Sequence, residues 1–348
     1  MDAEPLSATL ATHPTPIASD SAQVFLRRTF GIDGELRALR SERDENFLVE
    51  AGGERYVLKF ASPAEDRDVT HFQTNVLLHI AAKAPDVPIP RPVNTSSGRS
   101  FAEYTDPDGD LRLVRLFTFL PGTMVADVEI TPALRTNIGF TLARVDKALE
   151  SFSDPSPSYD LSWDLERAAR LRPLLADVEE RTNRRLVEQA LDIFESRVAP
   201  ELQGLRRQVI HNDLNPFNVL VDPVQQHSIV GVLDFGDIVR APLVHDIAIA
   251  ASYHIGAAEN PLQPVAEMLS GYQKAVKLEQ LEIDLLPDLI ATRLAMTVLI
   301  TEWRARQFPE NRAYILKNHP ASVAGLTRLA RISRGEAVDF LRRVGAER

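Results

Sequence analysis

The stretch Val209-Ile-His-Asn-Asp-Leu-Asn-Pro-Phe-Asn-Val-Leu-Val221 and the run Val232-Leu-Asp-Phe-Gly-Asp237 decide the fold. They place the side chains of Asp213, Asn218 and Asp234 within or beside apolar, β-prone runs. A carboxylate can orient and deprotonate an attacking hydroxyl, while an amide and a second carboxylate hold the Mg²⁺ that bridges nucleotide phosphates. The two runs therefore predict phosphoryl transfer, with Asp213 as the base and Asn218 and Asp234 as metal ligands.

The order His-x-Asp-x-x-x-x-Asn followed by Asp-Phe-Gly is the catalytic-loop and metal-loop pair of kinases. Asn215 stands two positions after Asp213, where protein kinases usually carry Lys. The pair therefore resembles the aminoglycoside phosphotransferase family, the small-molecule branch of the kinase fold. Within it, Asp234-Phe-Gly-Asp237 together with Val244-His-Asp-Ile-Ala-Ile-Ala250 most resembles the hydroxylysine kinases and related amino-alcohol kinases. The likeness is sharp over about Gln208 to Tyr253 and rests elsewhere on the order of weaker features.

The resemblance implies an α+β, bilobal, protein-kinase-like fold. We expect a mobile N-terminal tail over residues 1–20, a small β-rich N-lobe over 21–118 and a larger, mainly helical C-lobe over 119–348. Strand-like runs followed by helical apolar repeats favour the same class. The predicted strands are 46–50, 55–60 and 111–120 with a small hairpin over 219–234, and the predicted helices are 21–30, 65–82, 131–150, 163–171, 181–198, 261–277, 287–308 and 321–344.

Lys59 lies near the end of the second predicted strand, where kinase folds place the lysine that pairs nucleotide phosphates. Taken alone, it would be a solvated lysine at a strand end, but its order ahead of a helix and of the catalytic loop favours the phosphate role. A kinase-like fold usually supplies a Glu from that helix to hold the lysine. The apolar register of the helix puts Asn75 there instead. Either a neighbour such as Gln73 orients Lys59, or the register is shifted.

Further nucleotide contacts are predicted from two segments of the N-lobe. Ser41 begins a polar loop that stands in place of a G-x-G-x-x-G loop, and backbone N–H groups can cradle phosphate without glycines. The strand 111–120 resembles the hinge that grips the nucleotide base, with Phe117, Phe119 and Leu120 as candidate contacts. A core strand that ends in a turn is the alternative interpretation.

Candidates for the acceptor site are Asp237, Glu302 and Trp303. Asp237 follows the second metal ligand by three positions, so it could bind a substrate amine or brace the loop. Glu302 and Trp303 lie on a late helix and could wall the pocket, although a Trp is more often part of a core. We expect His211 to anchor the catalytic loop through hydrogen bonds rather than to transfer protons, and Asp246 to cap the helix that it opens.

The composition of the chain limits the classes of molecule that it is expected to bind. The 348 residues include 39 Lys and Arg against 49 Asp and Glu, a net charge of −10, and no basic run that could track a phosphate backbone. Nucleic-acid binding is therefore disfavoured, while an acidic balance fits a cationic substrate and equally fits simple solubility. The absence of cysteine excludes disulfides and a thiol nucleophile. Neither a secretory leader nor a membrane-length apolar run is evident, so a cytoplasmic location is expected; the oligomeric state is left open.

The resemblance implies a Mg²⁺-dependent kinase that uses ATP or GTP to phosphorylate the hydroxyl of a small amine-bearing metabolite, first of all hydroxylysine or a related amino alcohol. An aminoglycoside and a homoserine-type or choline-type substrate are alternatives, because the sequence does not place the loops that line the pocket. A different class is a non-catalytic nucleotide-binding pseudokinase. The missing helix Glu favours that class, and the joint presence of Asp213, Asn218 and Asp234 opposes it.

Overall fold

The computed structural model describes residues 16–39, 44–155, 157, 161–255 and 259–346. Of the predicted N-terminal tail, residues 1–15 lie outside this range. The chain forms two compact units. One contains the described residues up to Pro121 and those of 152–162, and the other contains those of 122–151 and from Trp163 onward. Sheet dominates the first unit and helix the second, which confirms the predicted α+β class.

An antiparallel sheet forms the centre of the first unit. The strands of this sheet are β1 (Glu35–Leu39), β2 (Glu45–Ala51), β3 (Glu54–Phe60), β4 (Pro92–Val93), β5 (Ala102–Thr105) and β6 (Leu111–Thr118). The helices of the first unit are α1 (Ser19–Phe30) and α2 (Arg67–Lys83). The strand order is β1-β2-β3-β6-β4, and β5 also pairs with β6. Gly52 and Gly53 join β2 to β3 at φ of 59° and 85°, a left-handed turn that glycine adopts without strain. The predicted hairpin and α2 are confirmed, whereas β1 was not predicted.

The two faces of this sheet carry different side chains. On one face, Phe47, Leu58 and Phe60 pack with α1 in an apolar cluster. Lys59 and Arg115 are paired directly across β3 and β6, so both lie on the opposite face. There Arg115 donates a hydrogen bond to a side chain of α2. The lysine therefore stands beside a buried arginine, on the face opposite the apolar cluster of α1.

Helices form most of the second unit. They are α3 (Pro132–Leu149), α4 (Arg181–Ile193), α5 (Val244–Ser252), α6 (Leu262–Tyr272), α7 (Gln280–Gln307), α8 (Arg312–Ile315), α9 (His319–Leu329) and α10 (Arg334–Ala346). The strands are β7 (Thr123–Met124), β8 (Arg207–Ile210), β9 (Val219–Val221), β10 (Ile229–Val232) and β11 (Val239–Pro242). They form a small sheet of order β10-β9-β7 and a ribbon of β11 with β8. The predicted hairpin over 219–234 is confirmed as β9 and β10.

Several predicted helices are correct in place and wrong in extent. The helix predicted from Pro287 begins at Gln280, because Glu279 and Glu282 form a reciprocal capping box that fixes an earlier start. Among the described residues, no helix combines the length and the apolar character that a membrane crossing requires. Three further predicted helices differ from the structure. A 3₁₀ segment over Leu165–Asp177 replaces the α-helix predicted over 163–171, and the helix predicted over 181–198 changes from α-helix to π-helix after Ile193. The single helix predicted over 321–344 is divided into α9 and α10.

Candidate active site

A buried carboxylate fixes the loop that follows β8. Asp246, in the first turn of α5, accepts hydrogen bonds from the backbone N–H groups of His211 and Asn212, each at 2.8 Å. Asn212 has a φ of 66°, a left-handed conformation that Asn tolerates better than most residues. The predicted N-cap role of Asp246 is wrong, because the helix is capped at Leu243 and the carboxylate turns to the catalytic loop instead.

His211 links the catalytic loop to the metal loop. Its Nδ1 accepts the N–H of Asp213 at 3.3 Å, so Nε2 carries the proton and donates to the carbonyl of Leu233 at 2.9 Å. The Phe235 ring packs edge-on against the imidazole, with 4.8 Å between ring centroids. Both nitrogens are thus occupied within the protein, in agreement with the predicted anchoring role.

The Asp213 carboxylate is held at both oxygens. Oδ2 accepts hydrogen bonds from the amides of Asn215 at 2.8 Å and Asn218 at 3.1 Å. Oδ1 accepts from the Tyr253 hydroxyl at 3.2 Å and from Nη2 of Arg293 at 3.3 Å. The side chain remains 21% exposed. Its direction is therefore fixed, while part of its surface stays open to an acceptor hydroxyl.

The charges around Asp213 oppose one another. The pKa of its carboxyl group is raised to about 7, because burial and the Asp237 and Asp234 carboxylates raise this pKa more than the Arg293 guanidinium lowers it. A group whose pKa lies near neutral pH is suited to accept a proton from a hydroxyl during the reaction. The predicted base Asp213, the predicted metal ligand Asp234 and the predicted substrate residue Asp237 thus lie close enough together for their charges to interact.

The main chain brings Asn218 and Asp234 together, since the N–H of Leu233 donates to the Asn218 carbonyl at 2.8 Å. The Asn218 amide nitrogen donates to the carbonyl of Asp213 at 2.8 Å, which leaves the side-chain oxygen on the other side of the amide. Asp234 is exposed and adopts a φ of 58°. Oxygen donors of this kind fit Mg²⁺, which keeps water and phosphate in its other positions. Within the described ranges, no cluster of three His, Cys, Asp or Glu side chains provides a wholly protein-built metal site.

Sequence reasoning missed Arg293 and Tyr253. Arg293, in the middle of α7, is 1% exposed. It donates to the Tyr253 hydroxyl at 3.1 Å and to the Trp163 carbonyl at 3.0 Å, and its guanidinium lies 4.7 Å from the centroid of the Trp163 ring. One signal was available, because Arg293 is the only charged residue between Leu289 and Ile300. A charge within such an apolar run requires a buried partner.

The two other predicted substrate residues lie farther along the same helix. Glu302 and Trp303 are roughly two and a half helical turns beyond Arg293. Glu302 is buried and 2.9 Å from Nε2 of His319 in α9, and Trp303 is half-buried. Their substrate role stays a prediction.

Lys59 has a carboxylate partner that the sequence did not single out. Its Nζ is 2.7 Å from Oδ2 of Asp44, the residue directly before β2. Asn75 of α2, at the position expected for the usual acid, donates to Asp154 at 2.9 Å. The partner of the lysine is therefore a loop residue.

The predicted contacts to the nucleotide base are part of β6 and its continuation. Phe117 is buried within the strand, and the Phe119 N–H donates to the Arg55 carbonyl at 3.0 Å. The Arg55 guanidinium also lies over the Phe119 ring, 4.3 Å from its centroid. Leu120 is half-buried, and Ser41 lies outside the described residues. These assignments stay predictions.

Comparison with known proteins gives a consistent result. A match to the phosphotransferase enzyme family (APH) covers residues 35–279. The chain is 27% identical over 333 residues to the hydroxylysine kinase of Xenopus laevis, a match that spans 89% of this chain and 88% of that protein. It is 28% identical over 325 residues to the hydroxylysine kinase of Mus musculus, spanning 85% and 84% of the two chains.

Solved structures share the fold. A microcompartment-associated aminopropanol kinase superposes with a TM-score of 0.68 at 20% identity, over 94% of this chain and 98% of that one. An amicoumacin kinase in complex with AMP-PNP, Ca²⁺ and Ami also gives a TM-score of 0.68, at 15% identity over 92% and 97% of the chains. The predicted kinase-like fold is thereby confirmed.

Proposed function

The chain belongs to the phosphotransferase enzyme family and is a small-molecule kinase, and on this basis we propose that it transfers the terminal phosphate of ATP or GTP, with Mg²⁺, to the hydroxyl of hydroxylysine or a related amino alcohol. Two relatives named hydroxylysine kinases match it over more than four-fifths of each chain, which supports this acceptor class. A cytoplasmic location stays a prediction.

The observation that carries the proposal is the setting of Asp213. Its carboxylate is oriented by contacts at both oxygens and has a pKa of about 7. In the proposed reaction, Asp213 orients the acceptor hydroxyl and takes its proton as the oxygen attacks the terminal phosphorus. The bond between that phosphorus and the bridging oxygen breaks, and the nucleoside diphosphate leaves. Bound Mg²⁺, held by Asn218 and Asp234, would neutralise the phosphate charge.

Charge complementarity supports an amine-bearing acceptor. Asp237 lies close enough to Asp213 to raise the pKa of that residue, so a second carboxylate stands beside the reaction centre. An ammonium group on the acceptor would be attracted to this carboxylate, whereas a neutral sugar would gain no such attraction. The competing pseudokinase interpretation does not account for an oriented base, because nucleotide binding alone needs none.

A panel assay tests the function. Release of nucleoside diphosphate from ATP and from GTP would be followed with 5-hydroxylysine, simple amino alcohols, aminoglycosides, choline, homoserine and neutral sugars. We expect hydroxylysine or a close amino alcohol to be phosphorylated best. Asp213→Asn should lower kcat by about 10²-fold to 10⁴-fold while nucleotide affinity stays near wild type, because the base acts on the acceptor.

Two other results of these assays would each contradict one part of the proposal. Preference for a neutral sugar would reject the amine-bearing acceptor and keep the kinase. Substantial turnover in Asp213→Asn would remove Asp213 from its role. As a specific control, Asp237→Asn should reduce turnover of the amine-bearing acceptor more than that of a neutral analogue.

A further inference from the structure

The middle of helix α2 contains no Asp or Glu that could pair with Lys59. The only acidic residue of α2 is Asp68, in the exposed first turn. Asn75 donates to Asp154 at 2.9 Å. The Gln73 side chain accepts a hydrogen bond from Arg115 at 3.0 Å. An acidic partner for Lys59 therefore has to come from another element.

The start of the β2–β3 hairpin supplies that partner. Asn46 is paired directly with Lys59, and Asp44 lies two residues earlier, directly before β2. Asp44 Oδ1 accepts the N–H of Ser62 at 2.9 Å, and Oδ2 is 2.7 Å from Lys59 Nζ. One oxygen ties the carboxylate to the backbone beyond β3, and the other receives the ammonium.

The pair is shielded from solvent. The side chains of Lys59 and Asp44 are 23% and 11% exposed, so their attraction is screened less than that of a surface ion pair. Arg115, paired opposite Lys59 on β6, is 2% exposed. Burial alone would raise the pKa of Asp44, but the charges of Lys59 and Arg115 bring that pKa below its ordinary value. Asp44 is therefore ionised at neutral pH.

We propose that Asp44 is the positioning residue for Lys59, performing from the edge of the hairpin the task that a helix glutamate performs in other kinases. A lysine ammonium has three N–H donors, so one can point to Asp44 while the others face phosphate oxygens. The carboxylate thus limits the rotamers of the long lysine side chain before the nucleotide arrives. This inference rests on the proposed function, since it takes Lys59 as a phosphate contact.

A double-mutant cycle tests the proposal. The four proteins are the wild type, Asp44→Asn, Lys59→Met and the double variant, each measured for the Kd of Mg²⁺-ATP by calorimetry and for kcat and nucleotide KM with the best acceptor. Asp44→Asn keeps an oxygen for the Ser62 N–H and removes only the charge. We expect it to raise the nucleotide KM by about 10-fold and to lower kcat by a similar factor, with no further loss when it is added to Lys59→Met.

A matched control uses the acid of α2 itself. Asp68→Asn should leave KM and kcat within about twofold of wild type, because this side chain is exposed. Wild-type constants in Asp44→Asn, or losses that simply add in the double variant, would overturn the positioning role. Absence of turnover with every acceptor would instead reject the proposed function. In that case the same cycle in Kd still decides the role of Asp44, since non-additive losses support it and additive or absent losses reject it.

Discussion

Two opposing effects act on the Asp213 carboxylate at the scale of single residues. Burial favours its neutral form, and the Arg293 guanidinium favours its charged form. Arg293 is itself buried and depends on Asp213, Tyr253 and Trp163 for its hydrogen bonds. Removing one member of a buried charge pair usually costs more than the pair contributes, because the other charge is left without a partner. The Asp213 carboxylate and its counter-ion Arg293 therefore act as a unit.

Replacing Arg293 by Met is expected to lower kcat by about 10²-fold and to change the nucleotide KM little, because the guanidinium contacts Asp213, the proposed base. Tyr253→Phe is the matched control. It removes one hydrogen bond from the same carboxylate oxygen and keeps the charge, so it should cost only about 3-fold to 10-fold. Steady-state kinetics of both variants, with circular dichroism to verify folding, measure the difference. Equal losses in the two would show that the charge of Arg293 does not matter.

At the scale of elements, helices α3 and α6 approach until their backbones touch. A Cβ atom on Gly139 would lie 2.0 Å from the Met268 carbonyl oxygen, and one on Gly271 would lie 1.9 Å from the Thr136 carbonyl oxygen. Each glycine thus accommodates the backbone of the opposite helix. The same two helices are also joined by a buried hydrogen bond, which the Tyr272 hydroxyl donates to the Asp146 carboxylate at 2.5 Å.

Gly139→Ala and Gly271→Ala are expected to destabilise the protein. Alanine in a helix is favoured over glycine by roughly 0.5–1 kcal/mol, but overpacking costs about 1–3 kcal/mol and backbone atoms cannot rotate aside. The packing cost therefore exceeds the gain. Gly335→Ala in α10, where an added Cβ meets nothing within 4 Å, should be neutral or slightly stabilising. Urea unfolding midpoints compare the three variants, and an unchanged midpoint in the first two would contradict the close approach.

Elements that depend on local sequence patterns could be predicted from the sequence, whereas contacts between distant segments could not. The hairpin β2–β3 and the catalytic and metal loops depend on local patterns of alternation and on short motifs, which a single sequence carries. The contact of Asp246 with the catalytic loop and the pairing of Arg293 with Asp213 join segments 35 and 80 residues apart, respectively. Asp44 could not be predicted for another reason, because the usual acid of kinase folds lies on the helix and nothing in the sequence shows that the residue before β2 reaches Lys59.

At the scale of the whole molecule, His245 links stability to pH. It is fully buried, and among the described residues neither ring nitrogen finds a hydrogen-bond partner. Burial, together with the charge of Arg207, lowers its pKa from 6.5 to about 3. Because the folded pKa is depressed, the stabilising contribution is complete above pH 6.5 and is lost as the pH falls towards 3.

His245→Leu is expected to flatten the acid side of the stability profile. In the wild type, this residue should contribute a loss of up to about 1.4 kcal/mol per pH unit below neutrality, because only the unfolded chain binds the proton. Urea midpoints measured from pH 4 to pH 8 give the slope. His227→Gln, an exchange in the exposed turn between β9 and β10, should keep the wild-type slope. Identical slopes for His245→Leu and the wild type would contradict the assignment.

The ion pair of Asp44 with Lys59 has a consequence for how the enzyme is controlled. Kinases that draw the acid from a helix can be switched off by displacing that helix. Here Lys59 lies in β3, and Asp44 directly precedes β2 and also accepts the N–H of Ser62, so a shift of α2 would leave the two charges paired. We therefore expect the charge pair that positions Lys59 to survive a displacement of α2, so that movement of this helix alone would not switch the proposed phosphate contact off.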